Sequence, residues 1–327
     1  MKLRVLTAAD VERSLDPDAL VEALADAFER LSAGAASMPQ RIAVEVPERR
    51  GAVLLMGAHL DGRPSLTTKL VSLFPDNPRG GPPTHQAAIL VFDAATGTPT
   101  ALMDGTSVTA LRTAAGSRLA TRLLARHDAG VLAILGTGVQ GEVHARALAR
   151  ERPWAEIRVA GRDRAAAERL AAQLGAELGM PSTPADSFAA ALHGADVACA
   201  ATAATEPVVR REWLAPGVHV NSVGYTTAGR EVDAETVREA LVVVESRAAA
   251  VVESNDLRWA IRDGVVAERD AVHAELGELV AGTRTGRTAA DQITLYKSLG
   301  VAAEDDAAAA LVLAAAEREG LGAVVEL

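Results

Sequence analysis

The chain has 327 residues, 49% hydrophobic and 23% charged, with a formal charge of -10 at pH 7; this is the composition of a globular protein long enough for two buried cores. The acidic balance argues against nucleic acid or an anionic membrane as partner, because phosphate is repelled by a dispersed negative surface. The single Cys199 rules out an internal disulfide, and no Cys/His cluster has metal-ligand spacing, so no metal is expected.

Residues 1–7 lack the apolar run and small-residue cleavage site of a secretory signal, so a cytoplasmic location is expected. Asp16 and Pro17 read as the N-cap and first position of a helix whose Leu20, Leu24, Phe28 and Leu31 share one face. Short β-rich runs at 42–46, 53–56, 67–71, 88–92 and 99–103, punctuated by Gly, Pro and Asp-Gly turns, predict a sheet with antiparallel pairs. Asp104-Gly105 then opens a long helix, 106–125, that crosses into a second domain. From Gly130 onward, strands at 131–135, 157–160, 197–200, 219–223 and 241–245 alternate with helical stretches such as 142–149 and 165–178. That alternation predicts an α/β domain with a doubly wound parallel sheet. The alanine-rich run 302–319 reads as a helix folding back on the first domain; flanked by Asp305, Asp306 and Glu317, it is too short to span a bilayer.

The sharpest local signal is Gly136-Thr137-Gly138-Val139-Gln140-Gly141, which follows an apolar strand directly and leads into a helix starting at the third glycine. In a Rossmann domain the first glycine makes the tight turn, the second lets the backbone approach a pyrophosphate, and the third lets helix pack on strand. The helix N-terminus then offers unpaired N–H groups to the phosphates. A glycine-rich turn with no ligand is the bland alternative. The second strand ends in Gly161-Arg162-Asp163 instead of the carboxylate that grips a ribose 2′-hydroxyl. Gly161 leaves room for a 2′-phosphate and Arg162 can pair with it, so NADP(H) is favoured over NAD(H). In the competing reading Arg162 is solvated and Asp163 caps the next helix.

Three cations sit in short apolar motifs of the first domain: Arg41 at a strand start, Lys69 in a strand and Arg112 in a helix. A buried cation needs an anion, because leaving it unpaired costs several kcal/mol. A substrate carboxylate, a cofactor phosphate or an internal Asp/Glu each meets that need. His85 reads as a backbone-bonded loop histidine or an acid/base, and Cys199 as a small buried thiol.

Five motifs in order, Leu66-Thr-Thr-Lys69-Leu-Val-Ser with Phe74-Pro75-Asp76-Asn77, Asp104 to Ala115 containing Arg112-Thr113, the glycine loop, Pro216 to Gly224, and Ile293 to Gly300 containing Lys297-Ser298, cover nearly the whole chain. Together they resemble the ornithine cyclodeaminase and mu-crystallin family. The resemblance implies a Rossmann NAD(P)-binding domain, 126–301, inserted in a second α+β domain built from both chain ends, 1–125 and 302–327, with a homodimer formed through that domain's sheet. It further implies that Arg41, Lys69 and Arg112 bind the carboxylate of a small amino or imino acid, with Lys69 catalytic. Thr84, Thr113, Thr202, Ser222, Val223, Gly224 and Ser298 are implied beside the cofactor, with Gly136, Gly138, Val139, Gln140, Gly141, Gly161 and Arg162. Lys297 matches the family motif and is read as an anchor for a helix or phosphate.

The sequence departs from the cyclodeaminases after Gly224, where Thr226 stands at the position of their aspartate. A threonine hydroxyl cannot serve as a carboxylate base. Glu231 and Asp233, further on, read as structural, at the start of the following helix, with rescue of the missing base by Glu231 left open; Tyr225 is expected to narrow the pocket. The expected function is therefore NAD(P)H-dependent reduction of a small carboxylate-bearing, cyclic ketimine, or amino-acid dehydrogenation in reverse. The alternatives are an ornithine or lysine cyclodeaminase with bound NAD, and a non-catalytic ligand-binding protein of the mu-crystallin kind.

Overall fold

The computed structural model describes residues 2–78, 80–225 and 229–326. In chain order, β1 (Lys2–Leu6), α1 (Ala8–Ser14) and α2 (Pro17–Ser32) precede strands β2 (Ala36–Ser37), β3 (Ile42–Val46), β4 (Gly51–Leu60), β5 (Ser65–Leu73), β6 (His85–Asp93) and β7 (Pro99–Asp104). Helix α3 (Gly105–Leu124) leads to β8 (Val131–Leu135), α4 (Val139–Ala149), β9 (Glu156–Ala160), α5 (Arg164–Leu178), β10 (Ser182–Pro184), α6 (Phe188–Leu192), β11 (Val197–Ala200) and β12 (His219–Ser222). Then come α7 (Ala234–Glu239), β13 (Leu241–Val244), α8 (Arg247–Glu253), α9 (Asn255–Arg262), β14 (Ala274–Glu275), α10 (Leu276–Val280) and β15 (Thr294–Lys297). The chain closes with α11 (Ala302–Glu319) and β16 (Ala323–Glu326).

Two compact units result, Met1–Arg112 with Gly300–Leu327, and Thr113–Leu299. The division falls inside α3, earlier than the 125/126 boundary expected from sequence. The cause is local: Ser117 and Thr121 of α3 hydrogen-bond to His144 and Asn221 of the second unit.

The first unit is a sheet ordered β16-β1-β7-β6-β5-β4-β2, with β3 also on β4. Its pairs are antiparallel except β1 with β7. Asp16 caps α2 by accepting from the N–H groups of Asp18 and Ala19, and α2 buries Leu20, Val21, Leu24, Ala27 and Phe28. Helix α11 lies on α2, β4 and β5, and its buried alanines permit that close approach. Strand β5 inverts the usual alternation. Ser65, Thr67, Lys69 and Val71 face inward while Leu66 and Leu70 are exposed. The inward polar groups are answered by α11: Ser65 Oγ and Thr67 Oγ1 donate to Asp306 Oδ1 at 3.0 and 2.6 Å.

The second unit is a parallel sheet ordered β10-β9-β8-β11-β12-β15-β13-β14. The chain moves outward from β8 to β10 and then returns to β11 on the other side. The crevice at the carboxyl ends of β8 and β11 is therefore a topological switch point, where such sheets bind ligands. Strand β15 inserts between β12 and β13 although it comes later in the chain, a placement the sequence reading did not contain. Among the described residues no helix is long and apolar enough to cross a membrane.

Candidate active site

In the first unit, the three cations singled out from sequence come together. Lys69, on the inner face of β5, is 2% exposed. Its Nζ lies 2.9 Å from Asp305 Oδ1 and 2.8 Å from Oδ2, with Thr109 Oγ1 at 3.4 Å. Arg112, on α3, donates from Nε to the same Asp305 Oδ1 at 3.2 Å and pairs with Glu304. Arg41, immediately before β3, donates from Nη2 to the Gly300 carbonyl at 3.0 Å. Gly300 adopts φ +71°, and a Cβ there would stand 2.9 Å from Arg112 Cζ, so glycine is what lets this turn press against the guanidinium.

Internal carboxylates thus answer Lys69 and Arg112, the ion-pair alternative weighed for them. From sequence Asp305 reads only as a charge flanking the alanine-rich helix, and Glu304 is not singled out. Three consecutive acids, Glu304, Asp305 and Asp306, are all buried near the start of α11, the first two in its first turn. Such a run opening an otherwise apolar helix is the signal that could have found them.

Burial pushes the Lys69 ammonium down to about 8; Asp305 opposes the shift and Arg112 adds to it. His85, the first residue of β6, is held below its ordinary range by burial, then by the charges of Lys69 and Arg112. Thr84 is exposed, and its carbonyl accepts the Phe74 N–H at 2.8 Å.

In the second unit, β8 runs into Gly136, which has φ +117° and whose N–H donates to Ala160 O at 2.8 Å. A Cβ on Gly136 would overlap the Ala201 carbonyl, and one on Gly141 would overlap the Gly136 carbonyl. Helix α4 begins at Val139, two residues before the third glycine, and its N-cap Gly138 makes no side-chain capping bond. A Cβ on Gly138 would meet nothing within 4 Å. The first turn of α4 therefore presents N–H groups toward open space, a cradle suited to a pyrophosphate. Val139 is exposed at this turn, and Gln140 lies beside it, half-buried.

At the end of β9, a Cβ on Gly161 would stand 2.8 Å from Thr137 Cγ2, so packing against the glycine loop itself requires this glycine. Arg162 is exposed. Asp163 caps α5 by accepting from the Ala166 N–H at 3.2 Å, which is the role the capping alternative gave it.

Thr202, Ser222 and Gly224 all meet the carboxylate of Glu231. Val223 N–H donates to Ala200 O, and Ser298 N–H to Ser222 O, both at 2.9 Å. Thr113 is buried in α3. Lys297 lies on β15, its ammonium 3.1 Å from Asp256 Oδ2. The helix start expected near Glu231 and Asp233 divides between the two: Asp233 caps α7, and Glu231 is buried in the loop before it. Cys199 is buried and its thiol pushed up by burial. Tyr225 is exposed, and Thr226 lies outside the described residues.

A model of the ornithine cyclodeaminase/mu-crystallin family matches residues 1–320. Ketimine reductase mu-crystallin of Mus musculus is 37% identical over 312 residues, 94% of this chain and 95% of that protein. The solved Delta(1)-pyrroline-2-carboxylate reductase of Thermococcus litoralis, in complex with NADH and L-proline, has a TM-score of 0.95 at 37% identity, covering 99% of this chain and 100% of that one. An archaeal alanine dehydrogenase dimer with bound NAD has a TM-score of 0.94 at 30% identity, covering 100% of both chains.

Proposed function

Because the chain belongs to the ornithine cyclodeaminase/mu-crystallin family, we propose that it is an NAD(P)H-dependent reductase of a small, cyclic, carboxylate-bearing ketimine, running in reverse as an amino-acid dehydrogenase. The observation that carries this reading is the meeting of Arg41, Lys69 and Arg112 around Gly300 and Asp305. Arg41, Lys69 and Arg112, from separate elements, face the two carboxylates Asp305 and Glu304 there, an excess of positive charge that suits a carboxylate next to a C=N carbon, the anion such a reductase must orient.

In this reading Arg41 and Arg112 hold the substrate carboxylate by charge-assisted hydrogen bonds. Lys69, whose ammonium burial pushes down to about 8, gives its proton to the imine nitrogen as electron density moves onto it. A nicotinamide dinucleotide held by the glycine loop supplies the hydride. The open space before Gly138 and the uncapped start of α4 fit its pyrophosphate. The exposed Arg162, just past the end of β9, where Ala160-Gly161 stands in place of a carboxylate, favours NADPH over NADH. The second unit is then the cofactor domain and the first the substrate and dimerisation domain.

Against the cyclodeaminase reading, both oxygens of Glu231 already accept hydrogen bonds from Thr202, Ser222 and Gly224, which speaks against its standing in for the missing aspartate.

The test is NADPH oxidation with pyrroline-2-carboxylate and piperideine-2-carboxylate, run beside ornithine and lysine with NAD. Turnover of a cyclic ketimine is expected. Ammonia release from ornithine without net cofactor change would hand the case to the cyclodeaminase. For the cofactor, Arg162→Ala is expected to erase the preference for NADPH, and an unchanged NADPH/NADH ratio would refute that assignment.

A further inference from the structure

Beyond the groups given a chemical step above, a buried polar cluster centred on Glu231 lies at the carboxyl ends of β11, β12 and β15. Glu231 is 2% exposed, and both its carboxylate oxygens accept hydrogen bonds. Its Oε1 accepts from the Thr202 N–H and Thr202 Oγ1, each at 2.8 Å. Its Oε2 accepts from Ser222 Oγ at 2.7 Å and the Gly224 N–H at 2.8 Å. Lys297 Nζ donates to the same Ser222 Oγ at 3.1 Å and to Gly224 O at 2.8 Å. Asp256 closes the ring: Oδ2 is 3.1 Å from Lys297 Nζ, and Oδ1 accepts from the N–H groups of Glu231 and Val232 at 2.7 and 2.8 Å.

The cluster ties together the loops that follow two neighbouring strands. Gly224 has no room for a side chain, since a Cβ would overlap Thr202 O and the Glu231 carboxylate. The loop after β11 in turn abuts the glycine loop, where a Cβ on Gly136 would overlap Ala201 O. In a doubly wound sheet the two halves of a dinucleotide straddle the switch point. Here the adenosine half belongs over β8 and β9, and the nicotinamide half over β11 and β12.

We propose that Glu231, braced by Lys297 and Asp256, is a positioning residue that fixes the backbone platform for the nicotinamide half of the cofactor and leaves the adenosine half to the glycine loop. The inference rests on the cofactor reading above. Its chemistry demands a carboxylate. Both oxygens accept from main-chain N–H groups, whereas a glutamine has one carbonyl oxygen and would turn its amide N–H toward Thr202 or Gly224, donor against donor. Loss of a hydrogen bond to a buried charged acceptor is worth about tenfold or more in an equilibrium constant.

The experiment is calorimetric titration of wild type and Glu231→Gln with NADPH and with 2′-phospho-ADP-ribose, which lacks the nicotinamide, together with steady-state turnover of a ketimine. The variant is expected to bind NADPH about tenfold more weakly and to turn over at least about tenfold more slowly at saturating cofactor, while its affinity for the fragment stays within about twofold. Thr202→Val, which deletes one hydroxyl and keeps the main-chain bond, is expected to move the same quantities less far, and it carries the test if Glu231→Gln does not fold. Equal weakening of both ligands would reduce the cluster to a fold element and overturn the proposal, as would unchanged NADPH binding and turnover. If the wild type binds neither ligand, the same pair of titrations is run with NADH and ADP-ribose; a wild type that binds none of the four would overturn the cofactor reading itself, and the inference with it.

Discussion

At Lys69, burial and the Asp305 carboxylate act in opposite directions, and burial, with the Arg112 charge on its side, wins. The ammonium loses its proton as pH rises through about 8, so a proton donor at this position is charged below that pH and spent above it. Accordingly, kcat/KM for ketimine reduction is expected to fall as pH rises through about 8. Asp305→Asn removes the charge that opposes the shift, and should move the fall to lower pH. A pH profile of both proteins checks this, and an identical profile would sink the donor role of Lys69. Lys69→Ala is expected to lower kcat by about 100-fold, the usual contribution of a positioned proton donor. The cations were legible in the sequence because a charge inside an apolar motif stands out against its neighbours. Their partners were not. Asp305 is 236 residues from Lys69 and 193 from Arg112, and acids opening a helix are already accounted for by its dipole.

The strand–loop–helix of β8 and α4 shows at the level of an element why one glycine differs from another. At Gly141 the obstruction is protein, since a Cβ would collide with the Gly136 carbonyl; at Gly138 nothing in the protein stands in the way. Gly141→Ala is therefore expected to cost about 1–3 kcal/mol of stability through overpacking. Gly138→Ala should leave the melting temperature unchanged and still weaken cofactor binding, because its methyl group would occupy the space left for the pyrophosphate. Thermal unfolding and cofactor titration of the two variants separate these outcomes; equal loss of stability in both would contradict the packing argument. The repetition of strand and helix through this unit was readable from periodicity. Strand β15 was not, since Thr294–Lys297 is four residues long and its place between β12 and β13 depends on pairing across the chain. Likewise β5 carries leucines where a strand facing solvent usually has polar residues, and a period of two cannot say which of its faces is the inner one.

Over the whole molecule, the outer face of the first unit's sheet carries an apolar row. Ile42 pairs with Leu55, and Leu55 with Leu70, in adjacent strands, and Ile42 and Leu70 are 64% and 44% exposed. Val44 and Leu66 extend the patch. A contiguous apolar face of this kind is costly in water and is the sort that association covers, in line with the proposed homodimer. Sedimentation of the wild-type chain should give a dimer, and the double variant Ile42→Glu, Leu70→Glu a monomer. A wild-type monomer would refute the dimer, and a variant that stays dimeric would place the contact elsewhere.

By itself the sequence determined the glycine loop, the run of strands and helices around it and the identity of the three cations, because each of these is written in residues close together in the chain. Only the tertiary structure decided what the cations and the loop are tied to. Asp305 reaches Lys69, and Glu231 gathers Thr202, Ser222 and Gly224, through partners whose separation along the chain carries no periodic signal. Buried charges must be satisfied wherever folding brings an opposite charge or a donor, and sequence spacing does not encode that place.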